Sequence, residues 1–232
     1  MKKALLVICS LFFNYFVYAQ NYSATEVINK SKAAYGTIQT YFDSGKVVSS
    51  FYNNSRPHSN AKYFKTSYSS NGLFNFEYYV LGQSNSLYVI NQSKNLVQSW
   101  WGITNHTKSY NSINMPLAAA AGVSSLLSTL IPKLLLPSKT SQQSWLESLA
   151  SPTLIGTEII NGTSCFVISG KDVLQNDIKI WIADKDFLIR RLIIDMKLTN
   201  FNVKSTYQFF PYQPTDTIET LFVFRPNRQI EL

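Results

Sequence analysis

The sequence predicts a β-rich α+β fold: an opening helix, an antiparallel meander, a group of short apolar helices and a second meander. Three observations carry this. A capped amphipathic stretch begins at Ser23, with Ser23 and Glu26 spaced as a capping box. Two long regions alternate apolar and polar residues with a period of two, and the turn residues between them are too closely spaced for crossover helices. Between these regions, residues 115–136 form an apolar segment broken by Pro116, Gly122 and Pro132.

In the opening helix Ile28, Tyr35, Ile38 and Phe42 recur at spacings of seven, three and four, which places them on one face. Its end is expected near Asp43-Ser44-Gly45. Strands follow at Val47 to Tyr52, Tyr63 to Tyr68 and around Phe74, Phe76, Tyr78 and Val80. The turns fall at Asn53 to Pro57, Ser69 to Gly72, Gly82 to Asn85 and Asn91 to Lys94. The apolar segment has the length of a membrane span, but Pro132, Lys133 and the hydroxyls of Ser124, Ser125 and Ser128 argue for two or three short helices burying one face. Thr140 or Ser141 is expected to cap a further helix through Trp145 and Leu149. The period of two then returns at Ile155 to Ile160, Cys165 to Ser169, Ile178 to Ala183, Phe187 to Lys197 and Val203 to Phe210. No linker or repeat divides residues 20–232, which read as one domain.

Lys2 and Lys3 precede an apolar run from Ala4 to Phe13, and Val17-Tyr18-Ala19 supplies small residues at the positions that a signal peptidase reads. The run is shorter than the roughly 20 residues of a spanning helix, so residues 1–19 are expected to be a signal peptide cut after Ala19, delivering the chain to the periplasm. Val7 and Ile8 before Cys9 do not fit a lipid-attachment site. The chain has 21 basic residues against 13 acidic, and the leader takes two of the basic ones with it. The remaining excess is scattered, with no basic block, so nucleic acid is not expected as a partner, and anionic lipid headgroups suit the balance better. Cys165 is the one cysteine after the leader, so no intramolecular disulfide supports the expected exported fold. Stability has to come from the core, for which 45% hydrophobic and 14% aromatic residues are ample material.

Titratable groups for catalysis are few. His58 and His106 lie in polar stretches that read as loops, without a second His or Cys at metal-ligand spacing, so neither a metal nor any other cofactor is expected. Cys165 reads as a buried small hydrophobe. Gly122-Val123-Ser124-Ser125-Leu126 lacks the second glycine and the preceding strand of a nucleophile elbow. Asp184 and Asp186 flank a turn, where aspartate is common for conformational reasons. No catalytic residue is assigned, and an enzyme is not expected. Apolar material stands out instead: Phe74, Phe76, Tyr78, Trp100, Trp101, Leu126, Leu127, Leu130, Ile131, Leu134 and Leu135. Residue by residue these fit an ordinary core; as a group they are the candidate lining of an apolar cavity.

The chain also resembles the LolA/LolB-like superfamily of outer-membrane lipoprotein carriers, and within it an exported subgroup. The resemblance rests on Lys32 to Ile38 leading into Tyr41 to Val47, on Ala121 to Ser124 followed by Ile131 to Leu135, on Gly156 to Glu158 with Asn161 to Cys165, and on Ile180 to Asp184 leading to Leu188 to Arg191. It implies a strongly curved, unclosed antiparallel sheet, a half-barrel, whose apolar concave face is covered by helices. It further implies a lipid or lipidated protein as partner, held by its acyl chains. A periplasmic or membrane-bound protein partner is the alternative, because the superfamily also includes periplasmic sensors. None of the carriers' functional arginines is carried over to Arg56.

Overall fold

The computed structural model describes residues 22–52, 58–80, 87–136, 144–199, 201–215 and 218–226. The expected leader with its cut after Ala19 lies outside them, as do the turns at 53–57 and 82–85 and the expected caps Thr140 and Ser141.

Helix α1 spans Ala24–Thr37 and is capped as the sequence predicts. The Glu26 amide donates to Ser23 Oγ (3.2 Å) and the Ser23 amide to Glu26 Oε2 (2.7 Å), so two otherwise orphaned donors are satisfied. Val27, Ile28, Ser31 and Tyr35 form its buried face. The helix ends earlier than expected, because the backbone turns extended at Ile38 and a strand begins at Thr40 in place of a further helical turn. That strand, β1 (Thr40–Tyr52), runs through the anticipated stop at Asp43-Ser44-Gly45. Gly45 is a point of close approach: a Cβ there would lie 2.1 Å from the Gln208 carbonyl and 2.5 Å from the Phe64 ring.

The first meander continues with β2 (His58–Ser69), β3 (Leu73–Tyr79), β4 (Tyr88–Ser93), β5 (Leu96–Trp101) and β6 (His106–Tyr110). His58 and His106, expected in loops, instead open β2 and β6. Cross-strand pairing overrides the polar local sequence, and His58 stacks on Phe51 with ring centroids 4.8 Å apart. The apolar segment divides into α2 (Asn114–Val123), a 3₁₀ turn (Leu127–Thr129) and α3 (Ile131–Leu135), in line with the expected short helices. No helix among the described residues is long and apolar enough to cross a membrane. The described part of the next expected helix, residues 144–149, consists of turns, with Leu146 and Leu149 buried. The Ser144 carbonyl accepts from the Glu147 and Ser148 amides while the Ser144 amide donates to the Glu147 carboxylate (2.9 Å), so one capped turn forms and the strand β7 begins at Ala150 before a second can follow.

The second meander is β7 (Ala150–Ile160), β8 (Thr163–Lys171), β9 (Asp177–Ala183), β10 (Ile189–Lys197) and β11 (Asn202–Pro211). A short helix, α4 (Ile218–Leu221), follows. All eleven strands form one antiparallel sheet in the order β6-β5-β4-β3-β2-β1-β11-β10-β9-β8-β7. The two meanders meet where β1 pairs with β11, Val47 opposite Tyr207 and Gly45 opposite Phe209. The sheet does not close, since β6 and β7 stand at its two ends.

Alternation assigns the two faces. Val47, Phe64, Phe76, Tyr88, Ile180, Leu192 and Tyr207 join α1, α2 and α3 in one apolar cluster, so this is the covered face. On the outer face a second, smaller cluster gathers Ile160, Cys165, Val167, Trp181 and Ala183. There the Trp181 indole donates to Glu158 (2.8 Å), and the guanidinium of Arg191 lies over the ring. Near the C-terminus Phe222 is buried against Phe42, and its carbonyl accepts from the Asn91 amide (2.8 Å).

Gly45→Ala is expected to destabilise the protein by about 1–3 kcal/mol, since the carbonyl and ring that it would strike are held by the sheet. Gly36→Ala, which enters open space near the end of α1, is expected to stabilise by about 0.4–1 kcal/mol. Urea unfolding of both variants beside the wild type checks the pair.

Candidate functional site

The largest continuous apolar layer of the described residues lies between the covered face and the helical segment 114–136. Pro116, Leu117 and Ala120 of α2 face inward at helical spacing, as do Ile131, Leu134 and Leu135 of α3. α2 packs against β4, and Phe74, Phe76 and Tyr78 of the neighbouring β3 belong to the same apolar cluster. Phe74, Phe76 and Leu117 are 0% exposed, so in this conformation the chain's own side chains fill the space around them.

The segment that joins α2 to α3 is locally strained and is held by side chains of the sheet. Ser125 (φ 52°) and Leu126 (φ 68°) are consecutive non-glycine residues in the left-handed region. That conformation costs roughly 1–2 kcal/mol per residue. Two side chains of the sheet grip this turn. Lys62 Nζ, from β2, donates to the Val123 carbonyl (3.0 Å) and to Ser125 Oγ (3.2 Å). The Tyr207 hydroxyl, from β11, donates to the Ser125 carbonyl (2.9 Å). Hydrogen bonds of this kind contribute about 0.5–3 kcal/mol each, which is the size of the strain that they oppose. The turn is braced internally by Ser128, whose hydroxyl donates to the Leu117 carbonyl (2.8 Å) and whose amide donates to Ser124 Oγ (3.3 Å). Further along, the Trp145 indole donates to the Leu130 carbonyl (3.2 Å), and Lys32 of α1 pairs with Glu147.

The residues singled out in the sequence fall as follows. Phe74, Phe76, Tyr78, Leu127, Leu130, Ile131, Leu134 and Leu135 are buried in the covered layer, and Trp101 packs against it in edge contact with Tyr88 (5.7 Å). Trp100 is buried on the outer face, because neighbours along a strand point to opposite sides and Trp101 shares the side of Tyr88. Leu126 sits at the strained turn with 40% of its surface exposed. Lys62 and Tyr207 are absent from the set that the sequence suggests. Parity places both on the covered face, Lys62 in step with Phe64 and Tyr207 in step with Val203 and Phe209, so that much is readable in the residues. The left-handed turn is not, since no glycine marks it.

Electrostatics on the covered face follow from burial. Desolvation lowers the Lys62 ammonium below its ordinary pKa and lifts the Tyr207 phenol to about 12, which keeps the phenol a donor. At the α1 end of the face the Tyr41 hydroxyl donates to Asp43 Oδ2 (2.9 Å), while burial raises the Asp43 carboxyl to about 7. Tyr35 stands beside them, its ring 5.7 Å from that of Tyr41 and its hydroxyl accepting from the Ile189 amide (3.1 Å). Among the described residues no group of three His, Cys, Asp or Glu side chains comes together as a metal site would require.

A family model described as "Predicted periplasmic protein (DUF2092)" matches residues 102–231, more than half of the chain. The chain belongs to the DUF2092 family. The DUF2092 match takes in the whole cover and β7 to β11, and begins after the strand that carries Lys62. No curated protein matches the chain. Among solved structures, an uncharacterised conserved protein from Thermus thermophilus is 10% identical to this DUF2092 chain, with 88% of this chain and 94% of that one covered and a TM-score of 0.50. MucB is 14% identical, with 89% of this chain and 64% of that one covered and a TM-score of 0.50. A LolA superfamily protein from Nitrosomonas europaea is 8% identical, with 88% and 98% covered and a TM-score of 0.34. The likeness to the Thermus thermophilus protein and to MucB, both at a TM-score of 0.50, is one of fold.

Asp43 sets a pH dependence. Its folded pKa lies above its ordinary value, so the folded protein favours the neutral acid. The associated stability is complete below about pH 4 and is lost as pH rises through about 7. Asp43→Asn is expected to flatten that decline and to gain on the wild type as pH increases across the window. Thermal unfolding at pH 4, 5.5, 7 and 8 checks this.

Proposed function

We propose that this DUF2092 protein is a periplasmic, non-catalytic carrier that holds an apolar ligand, a lipid or the acyl chains of a lipidated protein, between the covered sheet face and its helical cover. The observation that carries the reading is the cover itself: an apolar segment on an apolar sheet face, joined through a strained turn that two sheet side chains latch. Bonds from the sheet to this turn can be exchanged for others, which makes it the place where the cover can detach. Export through the leader, with cleavage after Ala19, belongs to the same reading, as does residues 20–232 acting as one unit.

The energetics need no specific polar contact. Each acyl CH₂ removed from water contributes about 0.8 kcal/mol, so a single long chain supplies enough to displace the cover from the sheet. Phe74, Phe76 and Tyr78 would then form the floor, and Leu127, Leu130, Ile131, Leu134 and Leu135 the underside of the lifted roof, with Leu126 and Trp101 at the margin. Trp100, on the other side of the sheet, takes no part.

Purified mature protein is expected to bind a fluorescent fatty acid or phospholipid probe saturably, at micromolar or lower concentration, in competition with unlabelled lipid. Leu130→Asp and Leu134→Asp, which place a carboxylate in the apolar layer, are expected to weaken the probe by about tenfold or more; circular dichroism and thermal unfolding establish that each variant is folded. Absence of saturable binding by folded wild type would remove the carrier reading. Mass spectrometry of an organic extract identifies any resident lipid. Capture of a stoichiometric periplasmic protein with no lipid would instead favour a docking module built on the same sheet.

A further inference from the structure

Lys62 places a cation on an otherwise apolar stretch of the covered face. Its register partner on β1 is Val47, and its ammonium lies 5.7 Å from the centre of the Tyr78 ring. Among the described residues no carboxylate pairs with it. Its acceptors are a backbone carbonyl and a serine hydroxyl, both neutral and both on the cover. The Tyr207 hydroxyl reaches the same residue of the cover, donating to the carbonyl of Ser125. Two strands of the sheet therefore offer two donors to one spot, and the cover fills that spot with three neutral oxygens.

A half-buried ammonium without a counter-ion is poorly compensated, since neutral acceptors stabilise it less than an anion does. When the cover lifts, Lys62 and Tyr207 lose these protein acceptors and become available to another. An acyl chain lying along Phe76 and Tyr78 would carry its head towards this pair. We propose that Lys62 and Tyr207 bind the anionic head, carboxylate or phosphate, of a single-chain amphiphile, whose oxygens replace those of Val123 and Ser125. The proposal rests on the carrier reading and adds to it the class of ligand and a reason for the cover to open. The anionic head competes directly for the latch, so loading and release of the turn are one event.

The test compares two probes of equal chain length, dodecanoate and dodecanol, by calorimetric titration at pH 8, with inorganic phosphate as a third arm. Wild type is expected to prefer dodecanoate by about tenfold or more, the scale of a charge-assisted hydrogen bond. Lys62→Met is expected to bring the ratio of the two affinities close to one, Lys62→Arg to retain most of the preference, and Tyr207→Phe to give an intermediate ratio. Circular dichroism establishes folding, and if Lys62→Met does not fold, Lys62→Gln replaces it. A wild type that binds both probes equally overturns the anionic-head assignment and leaves the carrier reading standing, as does a preference that survives in Lys62→Met. Binding of neither probe overturns both. Inorganic phosphate binding as tightly as dodecanoate would assign the pair to a free anion, against the amphiphile.

Discussion

Everything else in this molecule depends on the pairing of β1 with β11. That ladder brings the first and last strands of the chain side by side and makes one sheet of two separate meanders. Without it, each meander would present a half-width apolar face, and neither would be broad enough to need the helices between them. With it, residues as distant in sequence as Phe64 and Phe209 touch, their rings 5.6 Å apart. The same ladder places Lys62 and Tyr207 on strands that flank β1, so that both reach one turn of the cover. Gly45 stands near one end of this join, where the Phe64 ring takes the room a side chain would need.

Several polar groups on the covered face are tied to named partners. Ser49 and Ser205 hydrogen-bond to each other across the join (2.9 Å), which hides both hydroxyls. Tyr35 ties α1 to β10 through the Ile189 amide. Lys62 and Tyr207 differ from these in that their acceptors belong to the cover and not to the sheet. A buried polar group usually strengthens whatever it is bonded to, and here that is the least regular part of the backbone. The cover is thus held at a few points by bonds that an exchange of partner can replace, over an apolar contact that another apolar surface can replace.

Most of this architecture is legible in the residues. The Ser23 and Glu26 spacing marks the start of α1, the period of two marks the strands, and Pro132 with the serine hydroxyls marks the break-up of 115–136 into pieces. Local reading fails where a tertiary neighbour outweighs local chemistry. Asp43-Ser44-Gly45 has the composition of a stop, yet the strand crosses it because the Phe64 ring needs the space over Gly45. Polar His58 reads as loop, yet Phe51 supplies its ring partner from the next strand. Parity is enough to identify Trp100 as the odd member of the lining set, since it alternates with Trp101. The latch itself is beyond reach. Nothing in Ser125-Leu126 announces a left-handed turn, and its partners come from strands more than 60 residues away in either direction.

Because β6 and β7 remain at opposite ends of the sheet, no ring of hydrogen bonds fixes its girth. A closed barrel can change its bore only by breaking or sliding a ladder, whereas an open one widens by small changes of twist shared among ten strand pairings. The bowl can therefore splay while every backbone bond in it stays intact.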